Sequence, residues 1–153
     1  MSNESLSEAR EPSNLKVAED LFQQGLERYK AGEDAASLIP LYKEITDRQP
    51  KVGSGWTCLS WLYLLNNQAQ EAVKAAKQAV KLSPEDPQAR INLAIALLET
   101  GQKGVREQVE AAQNWLMLLS DLRQEIEENF AEGARRRPNW EALEKVRKWV
   151  LEG

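Results

Sequence analysis

The sequence predicts an all-α protein built from antiparallel helix–turn–helix pairs stacked side by side, followed by a long sixth helix and a C-terminal capping helix. Three observations predict it. Apolar residues recur at three- and four-residue steps through most of the chain, the spacing of one helix face. Glycine, asparagine and proline punctuate those stretches at regular intervals. Two of the stops, Pro50 and Pro84, lie 34 residues apart, and a fixed period of that size is the mark of a repeat array.

Each element follows from its residues. Residues 1–12 are polar and end at Pro12, so they read as a disordered tail with nothing to bury. A single domain is expected over 13–153. Ser13 or Asn14 is suited to cap a first helix that reaches about residue 31, with Leu21, Phe22, Leu26 and Tyr29 among its apolar set. Gly32 is placed to end it in left-handed backbone. The second helix runs to about residue 48. Pro40 sits badly in its interior, so a start at Ser37 or a kinked start near Asp34 is expected. Two helices are expected over about 53–66 and 68–82, joined by Asn66 and Asn67, since asparagine tolerates left-handed backbone. Pro87 opens a fifth helix at an allowed first-turn position.

Beyond Gly104 one apolar stripe runs from Val105 through Val109, Ala112, Leu116, Leu119, Leu122 and Ile126 to Phe130. It predicts a helix of about 28 residues over 105–132, roughly 40 Å long. Asn139 is expected to cap a last helix over 139–151.

Composition narrows the function. The net charge is −4, which argues against non-specific nucleic-acid binding. Histidine is absent, removing the commonest general base and metal ligand. The one cysteine, Cys58, cannot form an intramolecular disulfide. No apolar run reaches the roughly 20 residues of a membrane span, and the first residues lack the pattern of a signal peptide. The expectation is a cytoplasmic protein with no integral membrane segment. Glu127 and Glu128 have no partner group that would make them a catalytic pair. Gly101 to Gly104 lacks the lysine and hydroxyl of a phosphate loop. Arg135, Arg136 and Arg137 follow several glutamates and read as a solvated helix end or internal ion pairs. No catalytic residue, metal or cofactor is expected.

The stretch 53–86 carries Trp56, Leu59, Ser60, Tyr63, Ala72, Ala79 and Pro84 at the spacing of large and small residues of one tetratricopeptide repeat, with Ala76 where an aromatic is usual. The stretch 18–52 supplies Leu21, Gly25, Tyr29 and Pro50, and is one residue longer. From Pro87 the third stretch, 87–132, supplies Leu93, Ala94, Leu97 and Gly101, but its second helix does not match: the simple register puts Arg106, Glu110 and Gln113 inside. Either residues are inserted after Gly101 or that helix has its own geometry. The chain thus resembles the tetratricopeptide-repeat family over about 100 residues. The resemblance implies a short right-handed superhelix whose end is solvated by the last helix.

The resemblance also implies a concave face lined by the first helix of each pair. It falls on Phe22, Leu26, Tyr29 and Lys30, then Thr57, Trp61, Leu64 and Leu65, then Gln88, Ile91, Asn92, Ile95 and Leu98. This set is largely apolar. Of the lysine, asparagine and arginine residues with which some family members grip a terminal carboxylate, Lys30 and Asn92 alone lie nearby, so no such clamp is carried over. An apolar face of this kind marks a binding surface. The expected function is a non-catalytic interaction module, a scaffold or assembly factor that takes a partner's helix or peptide. The competing reading is a structural subunit that uses the helix over 105–132 to form a homodimer or dock into a larger complex. Trp56 is expected to hold the middle repeat together. Trp61 is expected to face the groove and to be removable without loss of the fold.

Overall fold

A computed structural model describes the backbone from Asn3 and the side chains from Ser13. The expectation of a disordered tail over 1–12 lies outside the fully described residues. Among the described residues there are eight α-helices and no strand.

Helix α1 (Asn3–Lys30) pairs with α2 (Ala35–Arg48), α3 (Gly53–Leu65) with α4 (Ala69–Leu82), and α5 (Pro87–Glu99) with α6 (Val105–Leu118). Successive pairs stack, α2 on α3 and α4 on α5. The turns use the expected residues. Gly32 has φ +92° and Asn67 φ +60°. The Glu33 N–H reaches the Arg28 carbonyl, and the Gln68 N–H the Tyr63 carbonyl, each closing a helix end. Asp86 caps α5 by accepting from the Gln88 N–H at 2.9 Å, with Pro87 in the first turn.

Small residues set the spacing between pairs. Ala72, Ala75, Ala76 and Ala79 of α4 are buried and let α3 and α5 approach on either side. Gly25 does the same in α1, where a Cβ would lie 2.6 Å from the Tyr42 ring.

Several details differ from expectation. Asn14 lies inside α1 and does not cap it; its side chain accepts from Arg48 Nη1 at 3.1 Å. Of the two expected starts of α2, the one near Asp34 is found, with Asp34 as the cap and Pro40 within the helix. Pro40 and Ala36 are both exposed, so the backbone bond that proline forfeits falls on the solvent side. Residues are indeed inserted after Gly101. The turn spans 100–104, and Val109, Ala112 and Leu116 then take the inward places that Ala72, Ala75 and Ala79 hold in α4.

The long sixth helix does not form. It breaks at Leu119 into α6, a 3-10 turn at Ser120–Leu122, and α7 (Arg123–Arg136). Ser120 and Asp121 occupy the break, and their short side chains compete with helical backbone bonds. The larger cause is tertiary. The paired helices of the second repeat are 13 and 14 residues long. A straight continuation would carry Ile126 and Phe130 past anything they could pack on. Folding back buries both to 3% exposure, an apolar gain that outweighs the few helical bonds lost.

The last helix, α8 (Glu141–Leu151), packs on α5, α6 and α7 and closes the array with Leu143, Val146 and Val150. Asn139 is not its cap. It takes φ +61°, and Trp140 stands at the cap position with its ring buried.

Candidate functional site

The concave face belongs to α1, α3 and α5, and α7 crosses it. Asn129 of α7 meets Gln88 at the start of α5, Gly133 meets Trp61 in α3, and Arg136 meets Tyr29 at the end of α1. Under this diagonal, towards its N-terminal half, a cavity of about 320 Å³ remains. Its walls are Leu26 and Tyr29 of α1, Tyr42 of α2, Thr57, Cys58, Trp61 and Leu62 of α3, and Leu122 and Ile126 from the chain's own return.

One side of the cavity carries a ladder of amides. Asn129 Nδ2 donates to Gln88 Oε1 at 3.0 Å, and Gln88 Nε2 donates to Asn92 Oδ1 at 2.7 Å. Asn92 Nδ2 donates to the Thr57 carbonyl at 3.1 Å and to Ser60 Oγ at 3.0 Å. Asn92 has no exposed surface, so these bonds satisfy a polar group that burial would otherwise penalise. They also tie α3, α5 and α7 together.

The C-terminal half of α7 is fastened by aromatic and arginine contacts. Trp61 Nε1 donates to Tyr29 Oη at 3.0 Å, and its ring lies 5.6 Å from that of Trp140. Arg136 stacks over the Tyr29 ring at 3.8 Å and donates to the carbonyls of Tyr29 and Glu33. Arg137 donates to the Leu64 carbonyl at 2.9 Å, pairs with Glu99 at 2.8 Å and stacks on Trp140 at 4.5 Å. The Trp140 indole N–H also donates to Glu99. Two arginines thus meet the C-terminal ends of α1, α3 and α5, where carbonyls with a spare lone pair and the negative pole of each helix favour cations. Burial pushes the Tyr29 phenol up, so it stays protonated beneath Arg136.

Gly133 permits the crossing. A Cβ there would lie 2.7 Å from Trp61 Cη2. An exposed helix gains about 1 kcal/mol from Gly→Ala. Here the sign should reverse: Gly133→Ala is expected to lower the urea midpoint and hasten proteolysis in the 119–123 turn. A raised midpoint would show that α7 does not rest on Trp61.

Of the residues expected on the concave face, Leu26, Tyr29, Thr57, Trp61, Gln88 and Asn92 line the cavity. Leu64, Leu65, Ile91 and Ile95 are buried in the core, Phe22 packs edge-on against Tyr42 at 5.7 Å, Leu98 is half-buried against the core, and Lys30 is exposed outside the cavity. Spacing alone missed Tyr42, Cys58, Asp86, Glu125 and Asn129. Ile126 and Asn129 share one face of α7, with Leu122 just ahead of it in the 3-10 turn, so the stripe carried a signal for that face but none for where it docks. Burial, with the Asp86 carboxylate adding to it, pushes the Cys58 thiol up to about 12. It is therefore a neutral wall residue at ordinary pH.

Stacked helix hairpins around a concave face define a helical-repeat protein. Residues 63–104, spanning the end of α3 through α5, match the family model described as tetratricopeptide repeat. Over those residues the chain carries a tetratricopeptide repeat, and the fold as a whole is tetratricopeptide-like. Its fold is similar to the TPR2AB domains of yeast Sti1 in a pHSP90 complex, at 18% identity and TM-score 0.64 over 86% of this chain and 53% of that one. It thus spans about half the length of that chain. The TPR2B domain of yeast Sti1 in a pHsp70 complex is similar at 19% identity and TM-score 0.62, covering 78% of this chain and 98% of that one. The Yersinia enterocolitica type III secretion translocator chaperone SycD is similar at 12% identity and TM-score 0.64, covering 87% and 96%. No curated protein matches the chain by sequence. No helix among the described residues is long and apolar enough to cross a membrane.

Proposed function

We propose that this protein is a non-catalytic interaction module, a scaffold or assembly factor, that receives a helical or extended segment of a partner protein in the cavity between its concave face and α7. The observation that carries this reading is the cavity itself. It is largely apolar, sits on the face that the repeats build together, and is left open although α7 covers the rest of that face. The similar Sti1 structures are complexes with pHSP90 and pHsp70, which supports a binding role for this fold. The competing reading, a homodimer or a docked subunit built on a continuous helix over 105–132, has less support: that helix is broken, and Ile126 and Phe130 are buried inside the chain.

The test uses an amidated, fluorophore-labelled dodecapeptide with leucine and phenylalanine at helical spacing and glutamine elsewhere. Leu26→Gln is expected to weaken its binding by about tenfold, the loss of one apolar wall. Leu26 is half-buried, so the melting temperature should fall by only a few degrees. Unchanged affinity would remove the cavity as the binding site.

A further inference from the structure

We infer that the segment taken by this cavity is cationic: an apolar side chain flanked by lysine or arginine, with no free carboxylate. The inference rests on the reading that the cavity receives a peptide, and it assigns the chemistry of that peptide.

The charges at the cavity are of one sign. Asp86, at the N-terminus of α5, and Glu125, in the first turn of α7, line it, and among the described residues no lysine or arginine does. Neither carboxylate belongs to any of the ion pairs among the described residues. Asp86 accepts from the Gln88 N–H and from Thr57 Oγ1 at 3.2 Å, both neutral donors, and a carboxylate retains acceptor capacity beyond two bonds. Each helix N-terminus offsets about half a charge, so the cavity stays net negative. The Asp86 field reaches its interior, since that carboxylate helps to raise the Cys58 thiol.

The cations that could have received a carboxylate are already engaged. Arg136 is held by the Tyr29 and Glu33 carbonyls and by Glu132, and Arg137 by Leu64 and Glu99. A carboxylate entering here would meet two like charges in a partly desolvated space, and an ammonium or guanidinium would meet two unpaired ones.

Three amidated dodecapeptides decide it. They share the leucine and phenylalanine pattern and differ in two flanking residues, lysine, glutamine or glutamate. Anisotropy titrations are run at about 50 and about 500 mM salt, where screening differs severalfold. The lysine peptide should bind about tenfold tighter than the glutamate peptide at low salt. In the Asp86→Asn/Glu125→Gln double variant the preference should fall below about threefold. Asparagine keeps the α5 cap, and Glu125 is exposed, so this variant should fold. Equal binding of the lysine and glutamate peptides, or a preference that survives in the double variant, overturns the inference while leaving the cavity reading standing. If no peptide binds, or all bind Leu26→Gln as well as wild type, the cavity reading fails and takes this inference with it.

Discussion

Trp61→Ala should destabilise the protein by about 2–4 kcal/mol, somewhat less than a fully buried tryptophan because its ring is half-buried, still a large share of the roughly 5–15 kcal/mol that holds a domain folded. Its ring is wedged between Gly133 and Trp140, and its indole N–H satisfies Tyr29. Removing it leaves a void under α7 and takes the aromatic partner from Trp140 at the entry to α8. The expected result is a lowered urea midpoint with faster proteolysis of the 119–123 turn, because the return of the chain is held by this contact. Trp56→Ala should cost less. Its ring is half-buried like that of Trp61, but its indole N–H lies near the surface, donating to the Pro50 carbonyl at 2.9 Å, and its loss frees no crossing helix. This ranking reverses the one that spacing suggests, in which Trp56 holds the repeat and Trp61 is free. A loss under about 1 kcal/mol for Trp61→Ala would show that α7 and α8 are held elsewhere.

Arg137→Ala should cost about 2–3 kcal/mol, more than any exposed ion pair would contribute. Arg137 and Glu99 retain only 21% and 14% side-chain exposure. Without the guanidinium, Glu99 keeps a charge in a mostly desolvated place with the Trp140 indole as its remaining partner there, and the Leu64 carbonyl loses a donor. A chain of this length should melt about 5–10 °C lower. Arg135 supplies the control. It is 67% exposed and, among the described residues, pairs only with Glu132, so Arg135→Ala should change stability by less than about 0.5 kcal/mol. Equal shifts for the two arginines would mean that the contacts at the ends of α3 and α5 carry no weight.

These two side chains show where sequence reading stops. Trp61 and Trp56 look alike on a helical wheel, and Arg135, Arg136 and Arg137 are one run of like residues. Which member of each set is committed depends on a segment far away in the chain: Glu99 lies 38 residues from Arg137, and Gly133 packs on Trp61 from another helix. Gly133 itself reads as a breaker, yet it lies inside α7 because a close helix crossing needs a residue without a Cβ.

The local elements were legible for the opposite reason. Asp86 followed by Pro87 starts a helix and Gly32 ends one through bonds that span only a few residues. The repeat period is equally local, because each pair buries its apolar face on its immediate neighbours. The sequence by itself therefore determined an all-α chain of stacked hairpins and most of its turn positions. The tertiary structure alone decided that the stripe over 105–132 breaks at Leu119, that α7 lies across the concave face, and that a small cavity with two carboxylates remains beneath it. Helix periodicity records that a face will be buried. It does not record against what, and that choice is made by the free energy of burying Ile126 and Phe130 rather than leaving them in water.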